Sequence, residues 1–344
     1  MRLPTSPLGT FSLARRMMSS KPPKPSVPFL ISAKEAVAGL PNKRDIVALD
    51  VSWHMPNSPR NPDEEYHSGP RIPGARRFNL DKIADLDPKT NPLGLGHMLP
   101  SLETFRDAAG KLGITPHTHV VLYDSIGVFS APRGLFTFKA FGHDKVSVLD
   151  GGLPAWIDEG GDVDEGPPEV DWKPVAYTSG ALNKDMVKSY ADMVASAAGG
   201  DIVLDARSPG RFAGTDPEPR PGLSSGHMPR ARSLPFGELL VPVGDGHPYT
   251  SYKTPAELRA VLVRAVGGEE AWAALLDQGA DAAGGAVERQ MVFSCGSGMT
   301  ACVGWLAAQI VAQEEGRVVS AAVYDESWTG YASRPESKIV KSNE

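Results

Sequence analysis

The sequence predicts an α/β fold built as two tandem domains, each a parallel sheet flanked by helices. Three observations lead there. At 344 residues the chain exceeds what one hydrophobic core usually serves, so two domains are expected. Short apolar runs alternate with helical patterns along both halves, as in parallel strands joined through helices. Four segments of the first half then recur, in the same order, in the second. Asp45-Ile-Val-Ala-Leu-Asp50 is echoed by Asp201-Ile-Val-Leu-Asp205, and Arg71-Ile-Pro-Gly-Ala-Arg76 by His227-Met-Pro-Arg-Ala-Arg232. His119-Val-Val-Leu-Tyr-Asp-Ser-Ile-Gly127 is echoed by Met291-Val-Phe-Ser-Cys-Gly-Ser-Gly298, and Val148-Leu-Asp-Gly-Gly-Leu-Pro-Ala-Trp156 by Val323-Tyr-Asp-Glu-Ser-Trp328. Internal duplication accounts for all four.

The repeats place one domain at residues 28–157 and the other at 182–335. Residues 158–181, rich in proline, glycine and acidic side chains, read as the linker. In the second domain Thr254-Pro-Ala-Glu257 is a capping box with proline at the first helical position. It opens a helix carrying Leu258, Val261, Leu262 and Val266. Residues 267–289, dominated by Ala, Gly and Glu, read as an insertion. The tail, 336–344, is polar and is expected to fray.

Composition narrows the function class. With 41% hydrophobic and 22% charged residues the chain is globular, and no apolar run spans a bilayer. A net charge of −6 leaves no basic footprint for direct nucleic-acid binding. Two cysteines make no disulfide framework, and the Cys295/Cys302 spacing is not that of a metal site. A reducing compartment is therefore expected. Residues 1–27 differ from the rest: they carry Arg2, Arg15, Arg16, Lys21 and Lys24, and no acidic residue appears before Glu35. That is the composition of a mitochondrial transit peptide. Cleavage is expected near Ser19, with Met17 or Met18 as alternative starts for an untargeted, cytoplasmic form.

The chemistry is expected at Met291-Val-Phe-Ser-Cys-Gly-Ser-Gly-Met-Thr300, a strand running through a tight loop into a buried helix. Gly296 and Gly298 permit the turn. A thiol at Cys295 faces converging backbone N–H groups and the positive end of the helix dipole, which favour the thiolate. Cys302, embedded among Val303, Trp305 and Leu306, reads as an inert core residue. The first repeat carries Asp124 where the second has Cys295, so one repeat keeps the reaction and the other a structural role. A second constellation follows Asp205: Arg207, Arg211 and Arg220 lie in a long loop beyond a strand end, where α/β sheets line their ligand crevice. An arginine fork matches a carboxylate bidentately.

These residues resemble the tandem-domain rhodanese superfamily, specifically the mercaptopyruvate/thiosulfate sulfurtransferases. The resemblance covers roughly residues 29–334 and includes Ser130-Ala-Pro-Arg133, Phe141-Gly-His143, Gly210-Arg-Phe212, Pro217-Glu-Pro-Arg220, Gly226-His-Met-Pro229 and the Cys295 loop. It implies a silent first domain and a Cys295 persulfide in the second. Sulfur would pass from 3-mercaptopyruvate, or less readily thiosulfate, to cyanide, a thiol such as thioredoxin or glutathione, or a sulfur-carrier protein. It further implies that N–H groups of Gly296, Ser297, Gly298, Met299 and Thr300 stabilise the persulfide. Arg211 and Arg220 would hold the donor's carboxylate and keto oxygens, and Ser297 would help move a proton. No metal or organic cofactor is implied.

Relatives that prefer thiosulfate carry Arg-Lys directly after the cysteine. Here Gly296 and Ser297 stand there, so the monocarboxylate is the expected donor. The family's Asp–His–Ser proton relay is expected to be incomplete, because the His-Ile-Pro-Gly motif begins with Arg71, the aspartate region reads Arg60-Asn-Pro-Asp63, and His67 is out of register. Glu326 replaces the glycine of the usual Asp-Gly-Ser-Trp and is expected at the pocket rim. His227 is expected to hold a turn rather than react. A cysteine phosphatase would need an arginine six residues after the cysteine, where Ala301 stands. An alternative of another class is a sulfur-relay protein that hands its persulfide to partners for tRNA thiolation.

Overall fold

A computed structural model describes residues 27–40, 45–243, 249–276 and 289–342. The transit-peptide reading, apart from Val27, and most of the expected insertion therefore lie outside the described residues.

The first domain contains strands β1 (Leu30–Ile31), β2 (Ile46–Asp50), β3 (Arg76–Arg77), β4 (His119–Tyr123) and β5 (Val146–Leu149). Helices α1 (Ala33–Gly39), α2 (Pro62–Ser68), α3 (Leu102–Lys111), α4 (Ala131–Ala140) and α5 (Gly152–Asp158) connect and cover them. The second contains β6 (Val187–Lys188), β7 (Ile202–Asp205), β8 (Arg232–Ser233), β11 (Met291–Ser294) and β12 (Ala321–Tyr324), with a separate antiparallel hairpin, β9 (Leu240–Val243) and β10 (Tyr249–Tyr252). Its helices are α6 (Tyr190–Ala198), α7 (Pro209–Ala213), α8 (Pro255–Val266), α9 (Glu269–Ala273), α10 (Ala301–Glu314) and α11 (Ser327–Ala332). The sheet orders are β1-β5-β4-β2-β3 and β6-β12-β11-β7-β8, with parallel neighbours throughout both. Strand for strand the second order repeats the first, so the duplication read from four short segments extends to the topology. Strands such as β4 and β11 are apolar without alternation because helices cover both faces of the sheet.

Helix α10 shows how the halves are joined. It is apolar nearly all round, and Ala301 to Leu306 are all buried. One side lies on its own sheet; the other meets α4 of the first domain, where the Phe136 and Trp305 rings sit edge to face at 5.2 Å. A helix apolar on every face needs cover on every face, so one core runs through both domains. The capping box closes α8 as expected, with Thr254 accepting from the Glu257 N–H.

Two segments are more ordered than their composition indicates. Residues of the expected linker lie along the first domain: the Val175 N–H donates to the Gly110 carbonyl, and Tyr177 is buried between Phe105 and His143. The polar tail does not fray through Ser342. Val340 bridges His227, and the Tyr331 hydroxyl donates to the Lys338 carbonyl. Ile339, which with Val340 lies between Lys338 and Lys341, supplies the apolar contact that overall polarity hides. In the first domain Arg71 bridges Asp164 in the corresponding place. Each repeat is thus closed by an extended segment on the residue that opens its Arg/His-x-Pro motif, and His227 has the structural role expected of it.

Candidate active site

All the strands of the second sheet run the same way, so the residues after β7, β11 and β12 gather at one edge. Cys295 follows β11, the middle strand, and is 2% exposed. Its Sγ accepts a hydrogen bond from the Gly298 N–H at 3.2 Å, and the Ser327 hydroxyl lies 4.0 Å away. Ser327, at the start of α11, also accepts the Cys295 N–H. Gly298 takes φ +84°, and a side chain there would strike the Asp325 carbonyl, so only glycine turns this N–H toward the sulfur. Helix α10 begins three residues later with its N-terminus at the loop.

The two arginines named from sequence converge on this loop. A methyl group built on Gly296 would lie 3.1 Å from Arg211 Nη2 and 3.6 Å from Arg220 Nη1. Cys295 is therefore deep in the fold, yet its loop sits beneath two guanidinium groups rather than apolar side chains. Arg211 rises from α7 and is held by Glu218, Nη2 to Oε2 at 2.5 Å. Glu218 also receives Arg207, which is clamped on Asp205 and stacked 4.1 Å over Trp328. Arg207 is thus a buried strut, Glu218 a hinge pin, and Arg211 the group they aim. Arg220 has no hydrogen bond or ion pair among the described residues, which leaves its fork available.

Cys302 is buried, donates to the Gly298 carbonyl, and burial pushes its thiol up to about 12, only partly offset by Arg133. It stays protonated and supports the loop. In the first repeat the Asp124 carboxylate fills its own loop, accepting the N–H groups of Ile126, Phe129, Ser130 and Ala131 at 2.9–3.2 Å. Burial raises its pKa against those bonds. The loop of the first repeat thus spends its donors on a built-in side chain.

The residues read against the family's relay motif are held in other contacts or lie at the surface. Arg71 is buried and donates to the carbonyls of Tyr66 and Gly166, while His67 is exposed on α2. Asp63 is bound to Arg77, Lys82 and Asn79; these outweigh its burial and hold it at about 2. A carboxylate–imidazole pair is found elsewhere: His97 Nδ1 is 2.5 Å from Asp81 Oδ1, and the His97 ring meets Trp53 edge on. Burial pushes the Asp81 carboxyl up, but its bonds to His97 and Trp53 outweigh that and leave it lowered. The His97 carbonyl is bound by Arg133, which also reaches the Gly298 carbonyl of the Cys295 loop. The sequence signal was Gly96-His97-Met98-Leu99-Pro100, a histidine framed by apolar and turn residues. Glu326 pairs with Arg334 at 2.5 Å and accepts the Tyr324 hydroxyl. Ser327 was also missed; its signal was the Ser-Trp pair closing the repeated Asp325 segment.

A cysteine at the mouth of the central strand of a five-stranded parallel sheet, in a donor-lined loop that opens a helix, defines a rhodanese-type fold. Comparison with known proteins agrees. Residues 32–159 match the rhodanese-like domain family. A probable 3-mercaptopyruvate sulfurtransferase of Schizosaccharomyces pombe is 36% identical over 85% of this chain and 88% of its own length. The mitochondrial thiosulfate/3-mercaptopyruvate sulfurtransferase 1 of Arabidopsis thaliana is 33% identical over 86% and 74%. The crystal structure of the Tum1 protein from Saccharomyces cerevisiae superposes with a TM-score of 0.74 at 27% identity, over 92% of this chain and 98% of that one. The chain belongs to the two-domain sulfurtransferases of the rhodanese family, enzymes that transfer sulfur.

Proposed function

We propose that this chain takes sulfur from 3-mercaptopyruvate onto Cys295 and passes it to a thiol, cyanide or a protein acceptor, releasing pyruvate. The observation that carries this reading is the convergence of Arg211 and Arg220 on Gly296, next to a thiol that accepts the Gly298 N–H. The arginines hold the donor's carboxylate and keto oxygens. The Cys295 thiolate attacks the donor sulfur; the S–S bond forms, the C–S bond breaks, and its electron pair leaves as the pyruvate enolate, which takes a proton. An acceptor thiolate then attacks the outer sulfur and regenerates Cys295. Ser297 and the Asp81–His97 pair, tied to the loop through Arg133, are assigned to the proton transfers. The loop from Cys295 to Thr300 carries no cation, which favours a monocarboxylate over thiosulfate. Thioredoxin and glutathione are the proposed thiol acceptors, a sulfur-carrier protein the proposed protein one. The basic N-terminal stretch supports mitochondrial import, which N-terminal sequencing of the mature protein tests.

Intact-mass analysis after incubation with 3-mercaptopyruvate tests the reaction. The expected result is a gain of one sulfur atom, lost in Cys295→Ser and kept in Cys302→Ser. A gain that survives Cys295→Ser overturns the assignment.

A further inference from the structure

The first domain is silent in the sense that Asp124 occupies its reactive position, yet one of its side chains enters the catalytic loop of the second. Arg133, on α4, is 2% exposed. Its Nη1 lies 2.7 Å from Asp325 Oδ1 and 3.3 Å from the Gly298 carbonyl oxygen; its Nη2 donates to the His97 carbonyl. Asp325 takes a second bond from the first domain, the Leu99 N–H at 2.8 Å. The guanidinium therefore ties together the end of β12, the segment carrying His97, and the residue whose N–H faces Cys295. The Gly298 carbonyl has one further donor, the Cys302 thiol at 3.3 Å.

We propose that Arg133 is a positioning residue for sulfur transfer: the first domain uses it to hold Gly298 so that the Gly298 N–H points at the Cys295 sulfur. Three features support this. Gly298 sits at φ +84° with no side chain to anchor it, so its orientation depends on what grips its carbonyl. Arg133 is pinned at Asp325 and His97, so it delivers the second N–H of Nη1 to a fixed point. A lysine has no fork, and cannot hold three acceptors set at these angles. The donor's carboxylate is held by Arg211 and Arg220, which Arg133 does not touch. Its loss therefore acts on the sulfur and not on donor capture.

This rests on the proposed persulfide reaction, and the experiment separates the two. Wild-type enzyme first shows the one-sulfur mass gain; if it does not, the reaction is wrong whatever Arg133 does. Arg133→Met and Arg133→Lys are then compared for kcat, KM and melting temperature. Arg133→Met is expected to lower kcat by about 10- to 100-fold, with KM for 3-mercaptopyruvate within about twofold. Arg133→Lys should fall between it and wild type. Thr250→Ala controls for loosened domains: it removes the bonds between Thr250 and Val128 across the same interface, away from Gly298, and should keep kcat within about twofold. If Arg133→Met does not fold, Arg133→Lys decides. A folded Arg133 variant with wild-type kcat, or an equal loss of kcat in Thr250→Ala, overturns the proposal.

Discussion

Arg211 and Arg220 reach the same glycine but are held differently, and substitution should separate them. Arg220 has no hydrogen bond or ion pair among the described residues, so Arg220→Met removes donor contacts and nothing internal. Hydrogen bonds to a charged partner contribute about 1.5–3 kcal/mol, so kcat/KM for 3-mercaptopyruvate should fall roughly 10- to 150-fold. The melting temperature should move by no more than about 2 °C, as for surface changes generally. Arg211→Met should cost a similar factor in kcat/KM. It also deprives the 2%-exposed Glu218 side chain of one of its two arginines. Losing a charge-assisted bond there should destabilise by about 1.5–3 kcal/mol, or roughly 2–4 °C for a chain of this length. Steady-state kinetics and calorimetry on both variants read the two effects apart. Equal melting temperatures for the two, or an unchanged kcat/KM in Arg220→Met, would refute the reasoning.

Two further outcomes follow from the geometry. Burial raises Asp150 from 3.8 to about 6, so its folded pKa lies above the unfolded one. Its ionisation therefore costs stability as pH rises from about 4 to about 6, by at most about 3 kcal/mol, and the cost persists above that window. Asp150→Asn still accepts the Tyr252 N–H, so it should melt higher than wild type at pH 7.5 and together with it near pH 4; a constant offset across pH would count against this. Ser297→Lys places a cation in the loop after Cys295, and the ratio of thiosulfate to 3-mercaptopyruvate turnover should rise. An unchanged ratio would show that loop charge does not set donor choice.

What the sequence made legible was whatever depends on local pattern. The strand–loop–helix around Cys295, the capping box of α8 and the two strand-end loops all declare themselves through residue types at fixed spacing. The duplication added register, which is why Asp124 could be matched to Cys295. What stayed hidden depends on side chains brought together across hundreds of residues. The Asp81–His97 pair lies beyond the motif first taken to mark the relay, and nothing local ties it to a loop about 200 residues on. Arg133 sits in a motif that marks the family but says nothing of its reach into the other domain. The tail misled because composition averages over Ile339 and Val340, the two residues that dock it.

The carboxylate at Asp124 has a consequence for how such a pair of domains can diverge. A loop that receives and surrenders cargo must leave its donors vacant for part of every cycle. Once a carboxyl group of the chain itself takes those donors permanently, the loop no longer has to open to an incoming molecule. The surrounding half is then free to become scaffolding, and its contacts can harden against the neighbour that still turns over.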